Sequence, residues 1–487
     1  MVKTKDLNVK HGDYARKINS WEKSALLACG GADMLAAMDK FLFRRPAEDE
    51  DVYRDRLNQC TYNSLIGSII GWYQSAISRN KPSMMVFKDG TAVKEKQWWG
   101  QFESNVDRNN KTLYEYAADM LRDLLVFGEA WALVDLPKSD GEKPRSLADQ
   151  MQAGALDAFL VRYAAPQVYD WSEDEAGRLL WVKIKATIER RAFLATGEIV
   201  DVWYYFDRER FEVYEAPRRD GKEAEQAFQT AAGRHAMADL KTVPVLRFRV
   251  PEELWLANRV LPQLIEHVRT ENGLANAVDK VCYPWPYIKG DFDDKPIRSM
   301  VTFLKLAADG DAGYVEISGT GVDKAVNRCA AIREDVYRAC YLQAQGRSTE
   351  ATPAAQSGYS KEMDMLPSLD ILNKFGSVLR SALVSILDTV AKIRGEVNQF
   401  AVSGYEFDTT GTDNALDQLD RVDDVGIESD TLRRVLSKRA VRSLLTGEDP
   451  AIVAAAEKEI DQAPSIEEQK KAEVEARRVA VAGTFGR

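Results

Sequence analysis

Residues 261–290, LPQLIEHVRTENGLANAVDKVCYPWPYIKG, decide the fold, because a helical pattern changes there into an extended one. Apolar side chains recur at helical spacing after Pro262, which suits the first turn of a helix, and the pattern ends near Val281. Residues 283–288 then alternate aromatic residues with proline, which predicts an extended segment. This stretch therefore predicts a long helix that leads directly into a strand.

The residues after this stretch predict further helices around small segments. The predicted segments are a compact mixed region with several glycines over 290–325, a helix over 326–344, a small polar loop (GRSTEATPAAQSGYS) over 346–360, a long Leu- and Ile-rich helix over 362–394, short helices over 412–462 and a charged, disordered tail over 466–487. Two helices thus enclose a compact segment, and a long third helix follows a polar loop.

The residues before this stretch divide into a helical part and a β-rich part. Predicted helices cover 21–43, 53–78 and 113–126, and predicted strands cover 129–136, 158–163, 179–188, 199–206, 211–214 and 243–250. Gly30 and Gly31 interrupt the first helix, and Gly128 fits the end of the third. Turn-forming residues at 216–221 separate strands that we expect to pair antiparallel. The fold class predicted is α+β.

Composition limits the kind of protein. The chain has 487 residues, 45% hydrophobic and 29% charged, with a net charge of −10 and no long basic block. Proteins that grip nucleic acid by its phosphates usually carry a basic surplus or a basic face, which is missing here. Five cysteines without a CxxC pair fit a reducing compartment. The polar start and the lack of a long apolar run predict cytoplasmic synthesis and no membrane span.

Sequence signatures of catalysis are missing. There is no GxxxxGK[ST], HExxH or GxSxG motif, and the three histidines fall in three different predicted segments. The acidic groups at 48–51 and at Asp291, Asp293 and Asp294 resemble metal clusters only loosely, and solvated loops explain them better. We expect no enzymatic activity, no cofactor and no metal.

Tryptophan side chains can stack on the bases of single-stranded nucleic acid, and such binding sites usually combine them with basic residues. The six tryptophans considered are Trp98, Trp99, Trp131, Trp171, Trp203 and Trp255, and basic residues do not interleave with them. They are therefore predicted to pack in a core or an interface.

Several motifs, taken in order and spacing over about residues 11–400, resemble a siphophage-type portal family of tailed bacteriophages and prophages. They are HGDYA (11–15) before Trp21, YRDRL (53–57), NVD (105–107), VFGEAWALVD (126–135), RYAAPQVYDW (162–171), and HVRT (267–270) through CYPWPYIKG (282–290). Residues 410–487 contain no such motif.

The resemblance implies a portal fold with an α/β wing, a two-helix stem, a small mixed clip, a long wing helix and a helical crown. Its implied divisions are a wing over 1–258 (N-terminal helices 1–135, β-rich part 136–258), stem helices at 259–283 and 326–346, a clip at 284–325, a tunnel loop at 347–360, a wing helix and strand at 361–411, a crown at 412–465 and a disordered tail at 466–487.

The resemblance also implies two functional sites. The implied DNA-channel residues of the tunnel loop are Arg347, Ser348, Thr349, Glu350, Thr352, Gln356, Ser357 and Lys361. The implied partner-docking residues of the clip are Asp291, Phe292, Asp293, Asp294, Lys295, Arg298, Lys305, Asp309 and Asp311.

The function implied is structural. A ring of about twelve identical subunits at one capsid vertex would be the channel for DNA packaging and ejection in the virion. The clip would dock the large subunit of terminase, and later the head–tail adaptor and tail proteins, while capsid and scaffold proteins contact the ring elsewhere. Double-stranded DNA would pass loosely, because an acidic ring repels phosphate and a conduit must not bind its cargo tightly. Solubility is an alternative explanation of the acidity.

Three other interpretations stay open. Another phage head or adaptor protein would be shorter and would lack two helices around a clip. A metal-dependent nuclease would lose activity on substitution of Asp291, Asp293 or Asp294 by alanine. A domesticated prophage or a gene-transfer particle would use the same kind of subunit as a phage. For residues 346–360 the competing interpretation is a plain surface linker.

Overall fold

A computed structural model gives the fold of the protein. It describes residues 1–79, 82–88, 91–93, 98–137, 157–191, 197–219, 221–282, 285–289, 311–315, 320–342, 358–407, 422, 425, 429–444 and 450–465. Its helices are α1 (Thr4–Leu7), α2 (Gly12–Cys29), α3 (Gly31–Ala36), α4 (Glu50–Asn58), α5 (Leu65–Arg79), α6 (Trp98–Ser104), α7 (Leu113–Phe127), α8 (Leu256–Cys282), α9 (Thr320–Ala339), α10 (Gly358–Arg394), α11 (Asp430–Leu444) and α12 (Pro450–Gln462).

Most of the strands form one run between α7 and α8, and the others lie near the start of the chain, between α5 and α6, between α8 and α9, and after α10. They are β1 (Val2–Lys3), β2 (Ser83–Lys88), β3 (Thr91–Ala92), β4 (Glu129–Asp135), β5 (Phe159–Ala164), β6 (Val168–Glu173), β7 (Leu179–Arg190), β8 (Glu198–Asp207), β9 (Arg210–Arg219), β10 (Lys222–Glu223), β11 (Gln226–Arg234), β12 (Val245–Arg249), β13 (Trp285–Lys289), β14 (Asp311–Val315) and β15 (Gln399–Ser403). The α+β class predicted from the sequence is confirmed at this level.

The β-rich part is antiparallel, as predicted. The largest sheet has the order β1-β11-β9-β8-β7-β6, with β10 paired to β9, and a three-stranded sheet has the order β12-β4-β5. Three strands of this part, β6, β10 and β11, were not predicted: β10 has only two residues, and the polar and small residues of β6 and β11 lack a clear apolar alternation. The predicted turn at 216–221 is partly wrong, since β9 continues to Arg219: it pairs with β8 as far as Pro217, and Arg218 and Arg219 pair with β10.

The N-terminal third is not purely helical. Strand β2 pairs with β15, which lies more than three hundred residues later, and β3 continues that sheet. The helix predicted over 53–78 is two helices, because α4 ends at Asn58 and α5 begins only at Leu65, with Thr61 in the non-helical link between them. The side chain of Asn272 accepts a hydrogen bond from the N–H of Thr61 (3.1 Å) and donates one to its carbonyl (3.2 Å). A contact with a distant helix thus overrides the local preference.

One core joins the helices to the sheets. Trp21 of α2 donates its indole N–H to the carbonyl of Phe127 (2.8 Å), and Trp255 donates to that of Val126 (2.8 Å). Helix α7 ends as predicted at Gly128, whose φ of +75° is the left-handed region. A Cβ at Gly128 would lie 2.8 Å from the ring of Trp255, so only glycine fits there. These contacts fix the point at which β4 and α8 start.

Helix α8 is longer than the sequence predicts. It begins at Leu256, so Pro262 lies inside it and not in its first turn. Leu256, Ala257 and Val260 are fully buried, and their contacts start the apolar face of the helix before the proline. Pro262 itself is exposed and costs the helix one backbone hydrogen bond.

Helices α9 and α10 also differ in their bounds from the prediction. Helix α9 begins at Thr320, so Gly321 belongs to the helix and not to a turn of the compact segment, and it ends at Ala339 and not at residue 344. Helix α10 runs from Gly358 to Arg394 with Pro367 inside it, so it begins four residues before the predicted 362–394, and residues 358–360, predicted to end the polar loop, are helical. Gly321 and Gly358 are tolerated in the first turns of α9 and α10, because packing farther along stabilises both helices.

The chain forms two compact units, Met1–Phe407 and Asp408–Arg487. In the second unit α11 and α12 pack together, and Leu436 and Ala440 of α11 are buried. Helices were predicted over 412–462, and those two are found there. The predicted disordered tail, 466–487, lies outside the described residues. In the part of the chain that the structure describes, no helix is long and apolar enough to cross a membrane.

Candidate functional site

Helices α8 and α9 form an antiparallel pair. Glu266 of α8 accepts a hydrogen bond from Arg328 Nε of α9 (2.9 Å). Earlier in α8, Arg259 donates to the hydroxyl of Tyr341 (2.5 Å), just after α9 ends. Since a residue earlier in α8 meets one later in the chain, the two helices run in opposite directions.

An apolar seam holds the pair together. Cys329, Ile332, Val336 and Cys340 recur at helical spacing on α9 and its C-terminal end, and all four are buried. Val336 is fully buried, whereas Glu266 and Arg328 are 45% and 53% exposed. Exposed ion pairs contribute little to stability, so the seam and not the ion pair determines how the helices pack.

A polar stripe follows one face of α8. Gln263 Oε1, His267 Nε2 and Glu271 Oε2 recur every four residues, and these buried atoms have no hydrogen-bond partner among the described residues. His267 Nδ1 lies 3.5 Å from Glu271 Oε2, and Arg333 of α9 acts on the same imidazole. Burial lowers the pKa of His267, which keeps the ring neutral at pH 7.

A hairpin lies between the two helices in the chain. Strand β13 follows α8 and pairs antiparallel with β14, which precedes α9, from Trp285 opposite Val315 to Lys289 opposite Asp311. The predicted extended piece at 283–288 is therefore a strand over residues 285–289. The two helices and the extended piece after the first occur in the predicted order, whereas β14 falls in the segment over 290–325 that was predicted only as mixed.

Few of the predicted site residues fall in the described part of the chain. Lys361 lies in the first turn of α10 and Asp311 begins β14, but their side chains are not described. The other predicted site residues, Arg347, Ser348, Thr349, Glu350, Thr352, Gln356, Ser357, Asp291, Phe292, Asp293, Asp294, Lys295, Arg298, Lys305 and Asp309, lie outside the described residues. The described residues therefore test neither site, and both stay predictions.

The acidic run at 48–51 is not simply solvated. Arg56 donates from Nε (2.9 Å) and from a terminal nitrogen (2.8 Å) to the two carboxylate oxygens of Glu48. This pairing lowers the pKa of Glu48 to about 2. The two side chains are only 8% and 10% exposed. Glu48 is therefore a structural residue that ties its loop to α4, because a bidentate arginine pair satisfies both oxygens.

A buried charge cluster escaped the sequence analysis. Arg247 of β12 is 5% exposed, and its guanidinium lies 4.9 Å from the ring centre of Trp131 and 4.4 Å from that of Trp171. It donates to Glu129 (2.6 and 2.9 Å) and to Glu173 (2.8 Å). The sequence contained one indication of this cluster. Because side chains alternate between the two faces of a strand, Glu129 and Trp131 lie on the same face of β4, which is otherwise apolar.

The tryptophans pack in the interior, as predicted. Trp131 and Trp203 are almost fully buried, and Trp99, Trp171 and Trp255 are at most 7% exposed. Trp98 is half-buried, and the guanidinium of Arg394 lies 3.5 Å from its ring centre. None of these five buried rings is accessible to a nucleic-acid base.

Residues suited to metal binding do not cluster in the described ranges. No group of three or more His, Cys, Asp or Glu side chains close enough to hold a metal ion is found there. The thiols of Cys29, Cys60, Cys329 and Cys340 are free. His11 stacks on Trp171 with 4.0 Å between the ring centres, and His235 is held by backbone groups, so both have structural roles.

Comparison with known proteins gives matches to solved structures alone. No protein-family model matches the sequence, and no curated protein matches it significantly. A chain in the neck of an empty GTA particle is similar at a TM-score of 0.41 and 11% identity, over 82% of this chain and 97% of that one. A chain in the virion of a native gene transfer agent (GTA) particle is similar at 0.40 and 10%, over 83% and 98%.

A chain in the neck of a native GTA particle is similar at a TM-score of 0.36 and 10% identity, over 76% of this chain and 90% of that one. The structural neighbours are thus components of phage-like particles. A likeness at these TM-scores and identities carries no argument about function.

Proposed function

We propose that this chain is a portal subunit: a structural protein that forms a ring of about twelve copies around a DNA channel at one capsid vertex. One observation carries the proposal. Two antiparallel helices of 27 and 20 residues, α8 and α9, enclose the strands β13 and β14, and a helix of 37 residues, α10, follows in the chain. This is the element order that the sequence motifs imply for stem, clip, stem and wing helix.

The helix pair has dimensions that suit a channel wall. At about 1.5 Å per residue, α8 is about 40 Å long, and its N-terminal half is anchored in the core by Val260, Leu264 and Val268. The C-terminal half of α8 and the exposed face of α9 lie outside that core. In the proposed ring these faces contact neighbouring subunits or line the channel.

The surface charge supports loose passage of DNA. Exposed residues of α9 carry both signs: Asp323, Lys324, Arg333, Asp335 and Arg338. The whole chain carries −10, so a ring of about twelve copies repels a phosphate backbone at long range. With Arg328 included, four of these exposed residues are basic and two are acidic, so carboxylates interrupt the row of phosphate contacts that would otherwise slow translocation.

In this proposal the clip region binds partners in succession. The terminase large subunit docks on it during packaging, and head–tail adaptor proteins replace the motor afterwards. The motor supplies the energy, since the chain has no triphosphate-binding loop. The segment 347–360 contacts the passing duplex, and the site of action is the virion.

The mass and symmetry of the purified protein test the proposal first, by light scattering and electron-microscope class averages. We expect rings of about twelve subunits. Their central hole should be wider than the roughly 20 Å of a DNA duplex. A compact dimer with a closed pocket would contradict the proposal. If the protein is a monomer, the same measurement is repeated in the presence of capsid and scaffold proteins, where failure to enter a ring contradicts it too.

A second measurement separates the portal from a nuclease. Plasmid DNA is incubated with the protein and Mg²⁺ or Mn²⁺, beside a variant in which Asp291, Asp293 and Asp294 are alanine. We expect no cleavage by either protein. Metal-dependent cleavage that disappears in the variant would replace the portal proposal with the enzyme.

A further inference from the structure

Tyr341 has an unusual backbone conformation at the end of α9. Its backbone φ is +61°, which lies in the left-handed region that residues other than glycine and asparagine rarely adopt. Tyr341 N–H donates to the carbonyl of Arg338 (3.0 Å), and Leu342 N–H donates to that of Tyr337 (2.8 Å). These two bonds form a Schellman motif, in which the left-handed position is usually glycine. Here a bulky tyrosine occupies it.

Two other helices hold this tyrosine. Arg259 of α8 donates to its hydroxyl (2.5 Å), and the same guanidinium lies 4.9 Å from its ring centre. Ser368 of α10 donates its hydroxyl to the Tyr341 carbonyl and is itself 3% exposed. The side chain and the backbone of one residue thus bond to two different helices.

Two further residues, Tyr73 of α5 and Pro367 of α10, lie close to the contact between Tyr341 and α10. Tyr73 of α5 donates to the carbonyl of Cys340 (2.8 Å), which anchors the end of α9 to the core. Pro367, the residue before Ser368, has no N–H and leaves α10 with one backbone hydrogen bond fewer at this level. The long helix therefore lacks one backbone hydrogen bond beside its contact with Tyr341.

We propose that Tyr341 is a strained latch that fixes α10 against the end of the α8–α9 pair, and that loss of either holding contact releases it. A tyrosine in the left-handed region costs an amount comparable with what one hydrogen bond contributes. The contacts of Tyr341 with Arg259 and with Ser368 together hold the conformation, whereas either contact alone is too weak to do so. Tyr341 then relaxes to a negative φ, and the Leu342 hydrogen bond and the Ser368 contact are lost together. This inference does not depend on the proposed ring.

Hydrogen exchange of the full-length protein tests the latch, with the Leu342 amide as the reporter. Ser368→Ala removes the contact to the Tyr341 carbonyl. We expect about a tenfold faster exchange of Leu342 and of the first turns of α10, the factor that corresponds to one lost hydrogen bond. Ser385→Ala is the control, since Ser385 is exposed on the same helix and bonds only within it.

Tyr341→Gly provides the decisive background, because glycine adopts a positive φ without strain. In Tyr341→Gly the turn needs no latch, so we expect Ser368→Ala to leave the exchange of Leu342 unchanged there. Amides of α7 serve as the measure of global stability and should not change in any variant. Two results overturn the proposal: no acceleration in Ser368→Ala, or the same acceleration in the Tyr341→Gly background.

Discussion

At the scale of single residues, buried charges are the most sensitive points of this protein. Arg247 is enclosed by two tryptophan rings and two carboxylates, and Glu129 beside it is 1% exposed. An ion pair of this kind contributes less net stability than its contacts suggest, because both ions lose their hydration. Removal of one partner is nevertheless costly, since the other charge stays buried.

We predict that Arg247→Met lowers the free energy of unfolding by about 3–5 kcal/mol, because Glu129 is left charged and buried. Adding Glu129→Gln to this variant should restore part of the loss. Guanidinium unfolding measures both. The matched control is Arg234→Met, whose partner Asp239 is 88% exposed and which should cost about 0.5 kcal/mol or less. Equal losses in the two arginine variants would refute the prediction.

Asp123 gives a pH-dependent prediction. Burial raises the pKa of Asp123 to about 6, and the Arg162 guanidinium 2.6 Å away offsets only part of this. Because the folded pKa lies above that of the unfolded chain, ionisation costs the folded state stability as the pH rises from about 4 to 6.

We predict that the wild type loses about 2–3 kcal/mol relative to Asp123→Asn between pH 4 and pH 7. Unfolding curves of the two proteins at several pH values give this difference directly. Parallel stability profiles across that range would show that Asp123 does not titrate as predicted.

At the scale of elements, the α8–α9 pair separates apolar packing from surface charge. We predict that Ile332→Ala, at a position 2% exposed, costs about 2–5 kcal/mol. The double variant Glu266→Gln and Arg328→Gln should cost about 1 kcal/mol or less, because both side chains are half-exposed. Chemical unfolding compares them. A larger loss for the charge variant would mean that the ion pair orients the helices.

At the scale of the whole molecule, the first unit contains a complete core. Most of its buried apolar side chains, from Tyr14 to Tyr405, form one continuous cluster, and Trp203, Ala216 and Ala227 form a second, smaller one within Met1–Phe407. We predict that a chain ending at Phe407 folds with a melting temperature within a few degrees of the full-length protein, measured at equal concentration. Aggregation or loss of a cooperative transition would show that residues after 407 are needed for folding.

At this scale, part of the fold could be predicted from local signals in the sequence. The helix ended by Gly128, the strand after it, the helix and extended piece of residues 261–288 and the helices that follow were predictable, because period and turn residues are local signals. Strand β14 was not, since its residues fall in a segment predicted only as mixed. The predicted channel and docking residues remain predictions, since nearly all lie outside the described residues.

The sequence by itself determined the class of fold, the order of its elements and the missing basic surplus. Only the tertiary structure decided where several other helices start and stop. Asn272 binds the backbone of Thr61 in the link between α4 and α5, more than two hundred residues away in the chain, and buried contacts let α8 begin before Pro262. It also decided that Arg247 is buried and that Tyr341 is left-handed. The helix bounds, the burial of Arg247 and the backbone conformation of Tyr341 all depend on contacts between residues far apart in the chain, and such contacts cannot be predicted from a local pattern of residues.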